Sequence, residues 1–496
     1  MTKGARPNIL WITTDQQRFD TIHAHGNDVI QTPNLDRLAA EGMSLMNTYC
    51  QSPVCTPSRA SFMTGRYPAS HHVHRNGNDH FPATETILPR MLVDQGGYHS
   101  GLIGKHHLSR SENRIELIPE DGYEYAALCD CWPIGRAYDD WLRDKHGIEN
   151  PQSLYPDLLR RSPRDYGEGL PMAIQQATWW GEEATAFIEK THDKPWFLNL
   201  NAVDPHPPFY PPKEFLDKYL PEDMPYPLYR DSDVARQEGF WDIDQQWKKI
   251  YDVRRYDPAE DIDQSTFPLE DRPLFDFPPD VYDARMVKAC YYAFISMIDD
   301  RVGAVLEALD RTGQAENTIV IFTSDHGEMM GDHGMLYKGC RFFEGLVHVP
   351  MIIRWPGVAK PGTRSEALVE LIDIVPTVLE AAGVEIPANV QGRSLLSLLL
   401  GETLVHKPHV VCEFNGALAG MPNQSHGTMV FDGRYKTCMY HDVGKAEIFD
   451  LQEDPGEFVS LWDKPGFERE QIRLLKQHLD AVMQTSDAGI ERTGMY

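Results

Sequence analysis

The 496-residue sequence predicts an α/β fold, in which a large, mostly parallel sheet is sandwiched by helices and a smaller C-terminal α+β subdomain carries a short antiparallel sheet. Short, continuously apolar runs indicate strands that are covered on both faces. Helical patterns lie between these runs, as they do in parallel sheets, and runs separated by turn residues near the end of the chain indicate antiparallel strands. We expect residues 1–400 to form the large domain and residues 401–496 the subdomain.

Four apolar runs predict the central strands, and each leads to a polar residue that is capable of chemistry. NILWITT leads to Asp15, YHSGLIG to Lys105, WFLNLNAV to His206, and TIVIFTS to Asp325. In open α/β sheets, ligands bind beyond the carboxyl ends of the strands. We therefore expect these four side chains to converge, although they are far apart in the sequence.

Three helices are predicted from capping signals and helical spacing. TPNLDRLAAEG places Thr32 at the N-cap, Pro33 in the first turn and Gly42 after the end. TETILPRMLVDQGG has helical spacing with a proline that marks its start. The longest helix is expected from Ala284 to Arg311, where an apolar stripe repeats at helical spacing and is closed by Gly313.

Residues 207–283 differ from the rest of the chain, because they are rich in Pro, Tyr and Asp and lack long periodicity. They predict a loop-rich insertion with short helices, which shapes the rim of a substrate site or an oligomer contact. In the subdomain, GTMVFDGRYKTCMY and EIFDLQEDPGEF predict antiparallel strands. EREQIRLLKQHLDAVMQT predicts a final helix.

The net charge of the chain restricts the classes of molecule that it can bind. It has 74 acidic and 47 basic side chains, for a net charge of −27. Such a surface repels nucleic acids and anionic membranes, so any anion site must carry its own local cations. No apolar segment of signal-peptide length precedes Asp15, and no stretch approaches the roughly 18 apolar residues of a membrane span. With eight scattered cysteines, which indicate reduced thiols, we expect a cytoplasmic protein.

Two strand ends carry residues of the type that bind metals. Asp325 and His326 precede the Gly- and His-rich loop GEMMGDHG, which is either a capped turn or a ligand pair. Together with Asp15 and Gln16 at another strand end, they favour a site for a divalent cation. Two carboxylates, an imidazole and an amide oxygen suit Mn²⁺ or another first-row ion at least as well as Ca²⁺.

Basic residues accompany these ligands. In GKHHL, an extended chain would place Lys105 and His107 on the same side. A lysine offers a point charge to an anionic oxygen, and a neutral histidine can move a proton; the alternative is an exposed basic turn. Prolines on both sides of His206 in DPHPPF stiffen the loop and restrict the direction of its imidazole ring. Lys338, in YKGCRFFEG, is either a further anion ligand or a solvated lysine.

Cys55 stands just before the short helix SRASFMTG, which Ser58 or Thr56 can cap. A helix N-terminus lowers the pKa of a thiol and suits a reactive group, and Arg59 can reach back to the same point. The alternative is a small buried hydrophobic residue. A cysteine phosphatase loop needs a longer spacing from Cys to Arg, and a Cys-His protease would leave the metal-type residues unexplained.

The stretch CTPSRASFMTGRYP resembles the signature of the formylglycine-dependent sulfatases of the alkaline phosphatase superfamily. The resemblance continues in PNILWITTDQ, TPNLDRLAAEG, GKHHL, DPHPPF, FTSDHGE and YKGCRFFEGLVHVPMIIRWPG, and FDLQEDPGEF resembles the C-terminal subdomain of the family. It implies that residues 1–400 are the catalytic domain and that the chain hydrolyses small sulfate esters as an arylsulfatase does.

The resemblance also implies how the site works. Cys55 would be oxidised by a formylglycine-generating enzyme to formylglycine (3-oxoalanine), whose aldehyde hydrate attacks the ester. Arg59 would hold the modified residue and its helix turn. One divalent metal, Ca²⁺ or Mn²⁺, would be bound by residue 55 together with Asp15, Gln16, Asp325 and His326.

The remaining roles concern the substrate. By the resemblance, Lys105 and Lys338 clamp the anionic oxygens. His107 takes a proton from the hydrate to expel the product, and His206 contacts the ester or protonates the leaving alcohol. Asn76 falls where hydrolases of phosphonates and phosphodiesters place an asparagine that contacts the substrate. We also expect a homo-oligomer, either a dimer or a tetramer.

Two departures from the usual sulfatase pattern leave alternatives open. Asp15-Gln16 and Asp325-His326 replace a run of aspartates and an Asp-Asn pair, as in the phosphonate monoester hydrolases and choline sulfatases of the family. GKHHL, in contrast, keeps the lysine and histidine of true sulfatases. The alternatives are a phosphonate monoester and phosphodiester hydrolase with the same site, and a non-catalytic binder of sulfated ligands.

Overall fold

Two main β-sheets organise the computed structural model. It describes residues 6–109, 111–112, 115–116, 121–129, 136–154, 166–243, 250–256, 282–418 and 425–487. Residues 244–249 and 257–281 of the predicted insertion lie outside the described residues. The strands are β1 (Asn8–Thr14), β2 (Met43–Tyr49), β3 (His99–Gly104), β4 (Ser111–Glu112), β5 (Ile115–Glu116), β6 (Tyr125–Leu128), β7 (Trp196–Asn201), β8 (Thr318–Ser324), β9 (Met351–Arg354), β10 (Thr363–Glu370), β11 (Val410–Asn415), β12 (His426–Phe431), β13 (Tyr435–His441) and β14 (Lys445–Asp450).

The large sheet has eight strands in the order β10-β2-β9-β8-β1-β7-β3-β6. β1 lies near its centre and runs parallel to both β7 and β8. β9 alone is antiparallel to its neighbours in this sheet, β2 and β8. The second sheet is antiparallel, in the order β11-β12-β13-β14. The predicted fold class is therefore confirmed, whereas the domain boundary at residue 400 stays a prediction.

The helices cover both faces of the large sheet. Those described are α1 (Pro33–Glu41), α2 (Cys55–Thr64), α3 (Pro68–His71), α4 (Leu88–Gly96), α5 (Arg136–His146), α6 (Gln176–Glu189), α7 (Lys213–Leu216), α8 (Asp233–Glu238), α9 (Ala284–Arg311), α10 (Glu344–Val347), α11 (Ile374–Ala382), α12 (Leu396–Leu399) and α13 (Glu468–Thr485). None of these helices has both the length and the apolar character needed to cross a membrane.

The predicted helix ends are confirmed at α9, whose bounds agree with the sequence pattern. The Asp283 carboxylate accepts the backbone N–H groups of Arg285 and Met286, which caps the first turn. At α1, Thr32 is the N-cap residue, but its hydroxyl accepts the N–H of His23 instead of capping the helix. The same hydroxyl donates to the Asp36 carboxylate of α1 at 3.2 Å, so it connects the preceding loop to the first turn of the helix.

Alternate side chains of β1 enter two different cores. Ile9 and Trp11 pack with α2, α4, α11 and the second sheet, whereas Leu10 and Ile12 pack with α1, α5, α6 and α9. All seven residues of β1 are buried. The continuous apolar run thus reflects a strand that is covered on both faces, as predicted.

A buried ion cluster joins the insertion to the second sheet. Glu447 on β14 accepts hydrogen bonds from Arg236 of α8, at 2.5 Å, and from Arg341, at 2.8 Å. Burial acts to raise the pKa of Glu447, but the two guanidinium groups outweigh it and lower the pKa from 4.5 to about 2. Part of the predicted insertion is therefore joined to the second sheet by charge-assisted hydrogen bonds.

This cluster predicts a pH-dependent stability. Because the folded pKa of Glu447 lies below its unfolded value, the ionised carboxylate stabilises the fold above about pH 4.5, and the contribution is lost as the pH falls toward 2. We expect Glu447→Gln to lower the free energy of unfolding by about 3 kcal/mol near neutral pH and by little near pH 2. Urea denaturation across this range tests it. A difference that does not change with pH would contradict the prediction.

The matched control is Glu189→Gln, at an exposed ion pair with Arg311. Exposed pairs contribute little, so we expect this variant to differ from the parent by less than about 1 kcal/mol throughout the same range.

Candidate active site

The predicted strand-end residues meet at one edge of the large sheet. Ligand atoms of Asp15, Cys55, Asp325 and His326 all lie within 4.8 Å of one another, and the four side chains are buried. The Cys55 Sγ lies 3.0 Å from His326 Nε2 and 3.6 Å from Asp15 Oδ1. β1 and β8 are adjacent and parallel, so the two carboxylates leave the sheet side by side.

Backbone groups hold the Asp325 carboxylate in place. Its Oδ1 accepts the N–H of Gln16 and the N–H of His326, each at 2.9 Å. Gln16 reaches this position in the left-handed region, with φ of 73°. The turn after β1 is therefore shaped so that it donates to the end of β8.

Arg59 stabilises the two carboxylates. Its Nε donates to Asp325 Oδ2 at 2.8 Å and its Nη2 donates to Asp15 Oδ2 at 3.2 Å. The guanidinium side chain is only 1% exposed. The resemblance placed Arg59 at the modified residue and its helix turn, and the contact with both carboxylates is a role that the sequence did not indicate.

α2 begins at Cys55 itself, three residues earlier than the predicted helix. The expectation that Ser58 or Thr56 caps it was wrong, because the N-cap residue Val54 makes no side-chain cap and Ser58 Oγ donates to the Asp325 carbonyl at 2.6 Å. The Asn76 Oδ1 instead accepts the Thr56 N–H at 2.9 Å. Asn76 thus lies beside Cys55 and satisfies a first-turn donor of the helix.

Two lysines contact the group formed by Asp15, Cys55, Asp325 and His326. Lys338 Nζ lies 2.9 Å from Cys55 Sγ, 2.8 Å from His206 Nε2 and 3.0 Å from Gln16 Oε1. Lys105 Nζ donates to Asp15 Oδ2 at 2.5 Å. These cations form the local positive charge that an anion site needs in so acidic a chain.

The charges around Cys55 change its acidity. Burial acts to raise the pKa of the thiol, but Lys338, Lys105 and His326 outweigh it, so that the pKa falls well below its usual 9.0. A hydrogen bond from His107 acts in the same direction. An anionic group at position 55 is therefore strongly favoured.

His206 and His326 differ in how readily they bind a proton. Burial lowers the pKa of His206, and the nearby Lys338 lowers it further. Its Nδ1 lies 2.6 Å from the Pro207 carbonyl, which can only accept, so Nε2 is the atom that accepts from Lys338. For His326, burial opposes protonation, but Asp325 and Cys55 outweigh it and raise the pKa to about 9.

Three residues of the site were missed from the sequence. Glu328 accepts the amide N–H of Gln16. Tyr291 on α9 donates to the Gln16 carbonyl at 2.5 Å. Burial, followed by the charge of Asp15, raises the pKa of Asp204 to about 7. Glu328 stands inside FTSDHGE and Asp204 inside DPHPPF, so both motifs carried a signal, whereas nothing local marks Tyr291.

The donor set fits a divalent cation. The two carboxylates and the imidazole are buried and offer hard oxygen and nitrogen ligands, which suit Mn²⁺ or Ca²⁺. Gln16 Oε1 lies against Lys338 next to this cluster, and its role as a further ligand stays a prediction.

Gly104, the last residue of β3, predicts a large steric effect next to Lys105. Its φ is +98°, and a Cβ there would lie 1.8 Å from the Asn201 carbonyl oxygen. We expect Gly104→Ala to lower the free energy of unfolding by more than about 2 kcal/mol. The control Gly97→Ala, with φ of +65° and no atom within 4 Å, should cost only about 1 kcal/mol. Equal losses by urea denaturation would contradict the steric explanation.

The chain is similar to known proteins along nearly its whole length. The chain matches the family model "Sulfatase" over residues 7–384 and the model "N-sulphoglucosamine sulphohydrolase, C-terminal" over residues 331–485. An arylsulfatase of Clostridium perfringens is 30% identical, over 98% of this chain and 96% of its own length.

Two solved structures are also similar along nearly the whole chain. The phosphonate monoester hydrolase of Agrobacterium radiobacter is 26% identical, with a TM-score of 0.77, and that of Silicibacter pomeroyi is 25% identical, with a TM-score of 0.80. Each comparison covers 97% of this chain and 96% of the other. Sequence, site and fold thus agree, and the chain belongs to the sulfatase family of the alkaline phosphatase superfamily.

Proposed function

We propose that this sulfatase hydrolyses small sulfate esters of the arylsulfatase type at residue 55. The observation that carries the proposal is the position of Cys55 at the start of a buried helix. There it contacts Lys338 and His107, and it lies beside Asp15, Asp325 and His326, which we call the metal-type cluster. Once Cys55 has been converted to formylglycine, its hydrate supplies an oxygen nucleophile, and a divalent cation supplies Lewis acidity. Asp15, Asp325 and His326 would hold that cation together with residue 55, with Gln16 as a further ligand.

The other side chains bind the ester and move protons. Lys105 and Lys338 offset negative charge on the ester oxygens, because both ammonium groups are buried at the cluster. His107 hydrogen-bonds the side chain at position 55 and accepts a proton from it. His206, held by the Pro207 carbonyl, directs Nε2 toward the same point and assists the leaving alcohol.

A phosphonate monoester hydrolase is the second candidate. Gln16, His326 and Asn76 all lie at the site, and the two similar structures named above are phosphonate monoester hydrolases. The test is turnover of an aryl sulfate and an aryl phosphonate monoester by one preparation, before and after removal of metal with a chelator. We expect higher turnover of the sulfate and loss of both activities without metal. A clear preference for the phosphonate would overturn the first candidate.

A non-catalytic binder is separated from both enzymes by the state of Cys55. Mass spectrometry of its peptide from the native host should show that an aldehyde has replaced the thiol, the product of a formylglycine-generating enzyme. A fully alkylatable thiol in that material would support the binder.

We also propose that the protein is a cytoplasmic homo-oligomer, a dimer or a tetramer. Ile472, Leu479 and Met483 on α13 are each more than 60% exposed and are spaced to share one helix face, which supports an interface. Light scattering coupled to size exclusion measures the mass, and a monomer at micromolar concentration would contradict the oligomer. Fractionation of the native host tests the compartment.

A further inference from the structure

Gln16 lies between two groups of opposite charge. It is fully buried. Its amide Nε2 donates to Glu328 Oε2, and its amide Oε1 accepts from Lys338 Nζ at 3.0 Å. Glu328 is also fully buried. The amide therefore links a carboxylate on one side to an ammonium group on the other.

The chemistry of these neighbours allows only one direction of the amide. An ionised carboxylate accepts hydrogen bonds and an ammonium group donates them. A flipped Gln16 would place its oxygen against Glu328 and its NH₂ group against Lys338, so two hydrogen bonds would become two repulsive contacts. The other oxygen of Glu328 accepts the backbone N–H groups of Met330 and Tyr337, so both oxygens of this carboxylate act as acceptors. Burial raises the pKa of Glu328 above its usual 4.5, and these hydrogen bonds oppose that rise.

The ammonium group of Lys338 depends on this direction. It has three N–H donors, and the structure offers three acceptors, the Gln16 oxygen, the Cys55 sulfur and His206 Nε2, at 2.8 to 3.0 Å. Removing the Gln16 oxygen would leave one buried donor of a cation without a partner, which is costly. The amide direction thus helps to hold the cation against residue 55.

We propose that Glu328 is a positioning residue, which fixes the direction of the Gln16 amide and so presents the Gln16 oxygen to the metal-type cluster and to Lys338. An amide oxygen has two lone pairs, so it can accept from Lys338 and also face a bound cation. This inference rests on the proposed function, in which that cluster holds a divalent metal, and it deepens the description of that site.

Glu328→Gln is a sharp test because it preserves shape. The new side chain keeps an oxygen for Met330 and Tyr337 but presents an NH₂ group to Gln16, so the amide loses its fixed direction. Changes of residues that orient metal ligands typically weaken metal affinity about 10- to 100-fold. We expect about a 10-fold weaker affinity for Mn²⁺, measured by calorimetry on chelator-treated protein with equal formylglycine content.

A double-mutant cycle shows whether the effect passes through Gln16. Gln16→Met retains an unbranched side chain without polar atoms, and we expect Glu328→Gln to change the Mn²⁺ affinity little in that background. An equal loss in both backgrounds, or no loss in either, would overturn the proposal. Glu447→Gln, in the distant ion cluster, is the control and should leave the Mn²⁺ affinity unchanged while it lowers stability.

The calorimetric titration with Mn²⁺ contains no substrate, so its result is independent of the test for sulfate ester hydrolysis. If Glu328→Gln weakens Mn²⁺ binding as expected but the parent protein hydrolyses no sulfate ester, the proposed function fails and the role of Glu328 stands. If it hydrolyses the ester while Glu328→Gln binds Mn²⁺ normally, the role of Glu328 fails alone.

Discussion

Cys55→Ala is expected to lower the turnover of an aryl sulfate by about 10⁵-fold or more, the scale of effect seen when a covalent nucleophile is removed. Alanine cannot be converted to formylglycine, so no nucleophile can form at position 55. Asp15 and Asp325 keep their hydrogen bonds to Arg59 in this variant, so the expected loss comes chiefly from the missing nucleophile. The measurement is kcat of each variant at saturating substrate. The value for the parent is divided by the fraction of its molecules that carry formylglycine.

Cys290→Ala is the matched control. Cys290 is also a fully buried cysteine, but it lies on α9 in an apolar core cluster and is not one of the side chains that form the metal-type cluster. Loss of its sulfur leaves a small cavity, which costs stability without touching the reacting groups. We expect turnover within about twofold of the parent. If Cys55→Ala retained turnover comparable to this control, residue 55 could not be the nucleophile.

Arg59→Met is expected to lower the free energy of unfolding of the metal-free protein by about 3 to 5 kcal/mol, as the removal of one partner from a buried ion pair does. Methionine fills much of the space of the arginine stem but leaves Asp15 and Asp325 buried without that counter-charge. A divalent cation at the same carboxylates would supply part of the missing charge. The loss should therefore be smaller when Mn²⁺ is present during urea denaturation.

The control for this prediction is Arg37→Met. Arg37 also pairs with two carboxylates, those of Glu41 and Asp310, but its side chain is 34% exposed. Solvent screens such pairs, so we expect a change below about 1 kcal/mol that is insensitive to Mn²⁺. A small, metal-independent loss in Arg59→Met would mean that Arg59 does not neutralise the carboxylates.

The sequence predicted the elements whose causes are local. β1 and β8 follow continuous apolar runs, and the bounds of α9 agree with its apolar stripe and Asp283 cap. The direction of β9 was not predictable, because a four-residue apolar strand pairs equally well in either direction until its neighbours are known.

The same distinction holds for the site. Asp15, Cys55 and His326 are marked by motifs at strand or helix ends. The contact of Gln16 with Glu328 joins residues 312 positions apart, and no local pattern carries such information. Ser58 was expected to cap α2, as its residue type does at many helix starts, yet a carbonyl of the neighbouring strand end takes its hydroxyl. Tertiary partners thus decided what residue type alone left open.

The burial of α2 has a consequence for the biogenesis of the protein. All ten residues from Cys55 to Thr64 are inaccessible, including the Thr-Pro-Ser-Arg segment that a modifying enzyme would read. An enzyme that oxidises Cys55, as proposed above, would therefore have to reach this stretch before it packs against the sheet. Under that proposal, oxidation and folding would compete in time, and each molecule that folds first would retain its thiol. The active fraction of a preparation would be set by that kinetic race during synthesis rather than by the stability of the finished fold.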